Sequence, residues 1–402
     1  MRKTCAWKRV GWLAAATLVL GACGDDDGDA SHFDFPIDVD HLQGPPEAGE
    51  WIALEPGGAT TCAFDTDYRF FVRGGDPEKL MIDFRGGGAC WDELTCGFAQ
   101  GGALFSLEAG TLEQFEASIQ AGDIYSEESP FADWTIVHLP YCTGDIHWGN
   151  NVATYGGNEL QHKGFVNAST ALAWVYEHFD APDDILVTGC SAGAYGAAAH
   201  SAYVREHYDE ANVRVLADSG AGIITESFLE DSLPNWDAQG NLPPFVPGLD
   251  GPLTELSMPD VYIAIAETFP DMVMAQTATA FDDDQIFFYT AMGGDEEDWP
   301  VLFRESLETI DEAVPNFRYY VPPGSMHCAI PYPFFAEREV DGVRLEDWVV
   351  QLATGDTPPA NVACEGQECC EDPICAMCET DPEMPGCGFC EGFPDDVPAC
   401  AP

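Results

Sequence analysis

Ser191 lies in Gly189-Cys190-Ser191-Ala192-Gly193, after the apolar run Asp184-Ile-Leu-Val-Thr188 and before an Ala-rich stretch. A serine hydroxyl attacks a carbonyl only when a base takes its proton and a sharp turn exposes it above the sheet. Gly-x-Ser-x-Gly between a strand and a helix supplies that turn, because small flanking residues let it close. The helix N-terminus adds free backbone donors and a favourable dipole. Acyl transfer through Ser191 is the chemistry expected. A second stretch, Asp83-Phe84-Arg85-Gly86-Gly87-Gly88-Ala89-Cys90-Trp91, follows the apolar run Leu80–Phe84. Its glycines would let backbone N–H groups face a developing oxyanion. A phosphate loop is the competing reading, but no Lys follows at P-loop spacing.

These groups need strands that end beneath them and loops that bring a base and an acid alongside. From Trp51 to about Thr354, β-rich runs alternate with helical stretches. The pattern predicts an α/β fold, a mostly parallel sheet flanked by helices. The expected runs include Leu80–Phe84, Trp134–Leu139, Asp184–Thr188, Val213–Ala217, Val273–Phe281 and Phe317–Val321. Helices are expected at Val166–His178, Ala194–His207 and Pro300–Ala313, and a loop or lid at Gln239–Pro252. In the chain order Ser, Asp/Glu, His, the base lies downstream of the serine. His200 and His207 sit on the helix directly after the elbow, too early for that role. The other downstream histidine is His327, in Pro322-Pro-Gly-Ser-Met-His327-Cys328. The acid stays open at this point. Asp218 and Asp282 each close a candidate strand, chain order favours the later one, and spacing does not separate Asp282 from Asp283 and Asp284.

In order along residues 51–335 come Thr61-Cys62, Gly86–Trp91, Tyr141-Cys142-Thr-Gly-Asp145, Gly189–Gly193, Asp218-Ser219-Gly220, Phe281-Asp282 with Gln285-Ile286, and Met326-His327-Cys328. This series resembles the pectinacetylesterase/Notum family of serine carboxylesterases. The resemblance implies an α/β-hydrolase fold and a Ser–Asp–His triad of Ser191, Asp282 and His327. It also implies oxyanion donors at the backbone N–H groups of Gly87, Gly88 and Ala192. No metal or organic cofactor is implied. The substrate it suggests is an O-acyl ester, acetyl on a glycan first, or a longer acyl chain if the pocket is deep. Ile146-His147-Trp148-Gly149-Asn150 stands where the family carries small and polar residues. His147 and Trp148 are therefore pocket candidates, since an indole face suits sugar stacking; a buried structural pair is the alternative.

The 402 residues carry 15 Lys+Arg against 70 Asp+Glu, a formal charge of −55. That excess argues against nucleic-acid binding and against adhesion to anionic lipid through a basic patch. It also disfavours polygalacturonate unless salt screens both partners. Arg2, Lys3, Lys8 and Arg9 precede a short apolar run that ends Leu20-Gly21-Ala22-Cys23, which resembles a lipoprotein signal. Residues 1–22 are read as that signal, with Cys23 the lipid attachment. An acidic flexible linker (23–50), a catalytic domain (51–355) and a Cys-rich disulfide-bonded tail (356–402) complete the expected organisation. The product would be an exported, membrane-anchored lipoprotein touching the membrane only through that anchor. Fourteen cysteines remain after Cys5 and Cys23, eight of them between 364 and 400. In an exported chain they suit disulfides better than zinc, and Cys90 and Cys96 are close enough for a local bridge. The acidic turns at Asp283-Asp284 and Asp295–Asp298 lack Ca²⁺-loop spacing. The rivals to a deacetylase are a lipase-like enzyme and a non-catalytic binding protein on a hydrolase fold.

Overall fold

The computed structural model describes residues 35–99 and 101–370. The signal stretch, Cys23 and the tail cysteines from Cys375 onward lie outside them. In chain order the strands are β1 (Trp51–Leu54), β2 (Phe70–Arg73), β3 (Asp76–Phe84), β4 (Trp134–Leu139), the hairpin β5 (Asn151–Tyr155) and β6 (Asn158–His162), β7 (Asp184–Cys190), β8 (Asn212–Asp218), β9 (Val273–Thr277), β10 (Phe317–Val321), the short pair β11 (Glu339–Val340) and β12 (Val343–Arg344), and β13 (Val362–Ala363). Nine of them form one sheet in the order β1-β2-β4-β3-β7-β8-β9-β10-β13. The pairs β1/β2 and β2/β4 are antiparallel and every later pair is parallel.

Side-chain alternation along the central strands builds two cores. Leu80, Ile82 and Phe84 of β3, with Ile185 and Val187 of β7, enter one; Met81 and Leu186 enter the other. Both faces must be covered, so these strands read as continuous apolar runs. The helices Gly164–His178, Ala192–His207, Met258–Thr268 and Trp299–Ala313 bury their apolar residues in the first core, and Leu345–Thr354 in the second. None of the described helices is long and apolar enough to cross a membrane.

Three expectations change. Residues 35–50 are not a free spacer: Val39 is buried in the first core, Trp174 Nε1 donates to the Gln43 carbonyl, and Ala48 bridges to Gly74. The tail does not begin as a separate unit at 356. β13 extends the main sheet alongside β10, and the Cys364–Cys369 disulfide packs into the first core. The run Val273–Phe281 is a strand only to Thr277, beyond which the chain turns away and delivers Asp282.

Disulfides join Cys62 to Cys142 and, as the spacing suggested, Cys90 to Cys96. Several of the cations hold backbone carbonyls. Arg73 donates to the carbonyls of Tyr125, Phe131 and Ala132, and Arg214, Arg304 and Arg318 likewise hold backbone carbonyls.

Candidate active site

Ser191 sits between β7 and the helix Ala192–His207 with φ 59° and ψ −125°. A non-glycine residue there is strained and persists only where its surroundings hold it. The elbow is closed by contact: a Cβ on Gly193 would run into the Phe84 carbonyl at the end of β3. Gly88, at φ +75°, is likewise pressed against Leu104. Ala192 opens the helix, so its N–H has no intrahelical acceptor. The N–H groups of Gly87 and Gly88 donate to no backbone carbonyl among the described residues, while their neighbour Ala89 donates to Leu104. The three expected donors are thus uncommitted and border the same cavities as Ser191.

His327 lies in the loop after β10, and its Nδ1 is 2.7 Å from Asp282 Oδ1. Asp282 is fully buried at the N-cap of the helix Asp283–Ala291. Its Oδ1 accepts from the Gln285 backbone N–H at 3.0 Å, and its Oδ2 from Gln285 Nε2 at 2.9 Å. The neighbouring carboxylates separate in space: Asp283 accepts from Ser325 Oγ, and Asp284 opens onto the cleft with Oδ2 3.9 Å from His327 Nε2. Burial disfavours the imidazolium, but the Asp282 carboxylate, by charge and hydrogen bond, together with Asp284 and Asp218, raises His327 to about 9. No hydrogen bond joins Ser191 Oγ to His327 in this arrangement; such contacts often tighten only on substrate. Asp218, the other candidate acid, makes no hydrogen bond to the His327 ring among the described residues. Its Oδ2 accepts from Ala329 and Ile330 at 2.7 and 2.8 Å, holding the loop that carries His327. Sequence reasoning gave no role to Gln285. The Asp-x-x-Gln spacing at a helix N-cap was its available signal.

Two cavities meet at Ser191, and both also touch Gly88, Phe288 and His327. One is an apolar pocket walled by Trp91, Ile146, Ile224, Phe228, Trp236 and Met292 among others. The other is a larger, open cleft with a polar share that includes Arg85, Ser106, Gln120, Tyr332 and Asp284. A further apolar hollow shares Ile146, Ile224 and Phe228 with the first pocket.

His147 and Trp148 line neither cavity at Ser191. His147 is 2% exposed, its Nε2 bonds the Arg85 carbonyl, and burial drives its pKa down to about 3. Trp148 Nε1 donates to the Tyr195 carbonyl and its ring faces the further hollow. Positive φ at Ile146 and His147 turns the chain so that the isoleucine, not the indole, walls the pocket. They are a structural pair.

A nine-stranded, mostly parallel sheet with a strained serine elbow between strand and helix, and a histidine–carboxylate pair on later loops, defines an α/β-hydrolase. The sequence profile of the pectinacetylesterase family matches residues 67–231. Two crystal forms of the Wnt deacylase Notum from Drosophila are similar in fold. One has a TM-score of 0.59 and 16% identity over 79% of this chain and 97% of that chain. The other has a TM-score of 0.53 and 15% identity over 75% and 92%. No curated protein sequence matches. The pectinacetylesterase profile over residues 67–231, together with the Notum-like fold, indicates a carboxylic ester hydrolase.

Proposed function

We propose that this protein is a serine esterase that removes an aliphatic acyl group, larger than acetyl, from a polar alcohol. Ser191 is the nucleophile, His327 the base and Asp282 the acid that orients it. Ser191 Oγ attacks the ester carbonyl as its proton passes to His327 Nε2. The oxyanion is held by the N–H groups of Gly87, Gly88 and Ala192. Collapse of the tetrahedral adduct breaks the bond to the alcohol oxygen, which leaves with the proton from His327. Water then attacks the acyl-enzyme with His327 as base, and releases the acid. Asp282 fixes the tautomer with Nδ1–H toward itself and stabilises the imidazolium.

The observation that carries the reading is the meeting of two unlike cavities at Ser191. An apolar pocket suits the acyl chain, and a polar cleft suits the alcohol and incoming water. Trp91, Phe228, Trp236 and Met292 offer far more apolar wall than a methyl group can use. At about 0.8 kcal/mol for each methylene removed from water, a longer chain gains there and acetyl does not. This revises the first expectation of an acetylesterase and keeps its alternative of longer acyl esters. An O-acylated glycan or small ester remains the alcohol side. The protein acts after export, held at the membrane by a lipid on Cys23. p-Nitrophenyl esters from acetate to palmitate, assayed with the wild type and Ser191→Ala, test the proposal. The expected result is a maximum between butyrate and octanoate that is abolished in the variant. Fastest turnover of acetate would sink the acyl-size reading, and activity surviving in the variant would sink the nucleophile.

A further inference from the structure

Three residues other than glycine with left-handed backbone converge behind the reacting groups: Ser191 (φ 59°), Ser219 (φ 55°) and Cys328 (φ 60°). Each such residue costs on the order of 1–3 kcal/mol and lasts only where its neighbours over-determine it. Here they brace one another. Ser191 N–H donates to the Asp218 carbonyl at 2.8 Å, and Cys328 N–H donates to Ser219 Oγ at 2.9 Å. Asp218 Oδ2 takes the next two N–H groups of the same loop, those of Ala329 and Ile330. Ser219 N–H in turn donates to the Thr277 carbonyl at the end of β9. A disulfide then links Cys190, directly before the serine, to Cys328, directly after the histidine, across 138 residues. The ligand atoms of Cys190, Cys328 and His327 lie within 4.8 Å of one another. Asp218, Ser219 and Cys328 are each 1% exposed, whereas Cys190 is half-buried at the wall of the open cleft.

Asp282 and this clamp do different things. Asp282 grips the imidazole at Nδ1 and sets how the ring is turned. The clamp acts on the main chain on the far side of His327 and sets where the ring is. We propose that Asp218 and the Cys190–Cys328 disulfide are positioning residues that hold His327 at working distance from Ser191. The inference rests on the roles given above to those two residues. A displacement of about 1 Å in a catalytic constellation costs up to about a hundredfold in rate.

The test compares Asp218→Asn, Asp218→Ala, Ser219→Gly and the double variant Cys190→Ala/Cys328→Ala with the wild type. Each is assayed for kcat and KM on the butyrate ester, for labelling rate by an alkyl fluorophosphonate, and for fold by circular dichroism. Ser219→Gly keeps the left-handed backbone without strain and removes the acceptor for Cys328 together with the hydroxyl's 3.3 Å donation to Asp218 Oδ1, so it covers the case in which the others fail to fold. The expected result is kcat down about ten- to a hundredfold for Asp218→Ala and the cysteine pair. KM should stay within about twofold and labelling should slow in parallel, because the pocket is intact while the base is misplaced. Asp218→Asn keeps one acceptor oxygen and should fall between wild type and alanine; Ser219→Gly should show a smaller loss of the same kind. Folded variants with unchanged kcat, or a loss that vanishes when rates are divided by the titrated fraction of active sites, would overturn the proposal. A wild type that neither hydrolyses esters nor takes the label would instead refute the catalytic assignment on which it rests.

Discussion

Replacing Asp284 by Asn should make the enzyme faster at neutral pH. A general base works only when neutral, and His327 is held at about 9, so at pH 7 most of it is protonated. Asp284 contributes to that through Oδ2, 3.9 Å from Nε2. Two unit charges that far apart interact by ~1 kcal/mol in water and ~4 kcal/mol at an effective dielectric of 20. The Asp284 side chain is 61% exposed, which places the pair near the aqueous limit. With 1.36 kcal/mol per pKa unit, the amide should lower His327 by roughly 0.8 unit. The neutral fraction at pH 7, and with it kcat/KM for a butyrate ester, should rise about sixfold, while the plateau above pH 10 stays unchanged. The assay is kcat/KM from pH 6 to about 11 at constant, low ionic strength; added salt should shrink the difference. Stability carries the same signature. A folded-state value above the unfolded one of 6.5 means that the native state keeps a proton which the unfolded chain releases. That stabilisation is complete below pH 6.5 and is lost as pH rises through about 9. The variant should show a shallower fall in Tm across the window. An ascending limb that does not move, or a rate change equal at every pH, would refute the reasoning.

Three further outcomes are expected. Asp282→Asn should lower kcat by about 10³–10⁴ with little change in KM, because the tautomer and ring orientation are lost; stopped assays across pH check it. Ile224→Trp, at the wall shared by the acyl pocket and the hollow behind it, should lower the octanoate-to-acetate ratio of kcat/KM about tenfold. That corresponds to roughly two methylenes losing ~0.8 kcal/mol each. Removing the Cys62–Cys142 disulfide, which closes a loop of 80 residues and lines neither cavity at Ser191, should cost about 4 kcal/mol in urea unfolding and leave activity per folded molecule unchanged.

The elbow was legible because its sterics leave few choices: with Gly193 pressed on the Phe84 carbonyl, only a small residue fits. The parallel strands were legible because burial on both faces makes them continuous apolar runs. Their ends were less so, as at Thr277, where buried Ala278, Ala280 and Phe281 prolong the apolar signal into the turn that carries Asp282. Asp282, Asp283 and Asp284 could not be told apart in sequence because they share one helical turn. Their surroundings separate them, as Gln285, Ser325 and open cleft respectively. His147 and Trp148 misled because residue type does not reveal direction, and two consecutive left-handed residues reversed it. β13 is two residues long, below any periodicity, and its attachment to β10 depends on the folded partner.

The way the arginines are used sets how the protein answers to its ionic surroundings. Arg73, Arg214, Arg304 and Arg318 hold main-chain oxygens. The surface carboxylates are therefore left largely to mobile counter-ions. Among the described residues, dissolved salt then has the pairs of Arg69, Lys79, Arg205 and Arg344 with nearby carboxylates to weaken, and a large self-repulsion to damp. The molecule behaves as a compact polyelectrolyte: brine should tighten it and distilled water loosen it, the reverse of a fold held by pairs at its surface.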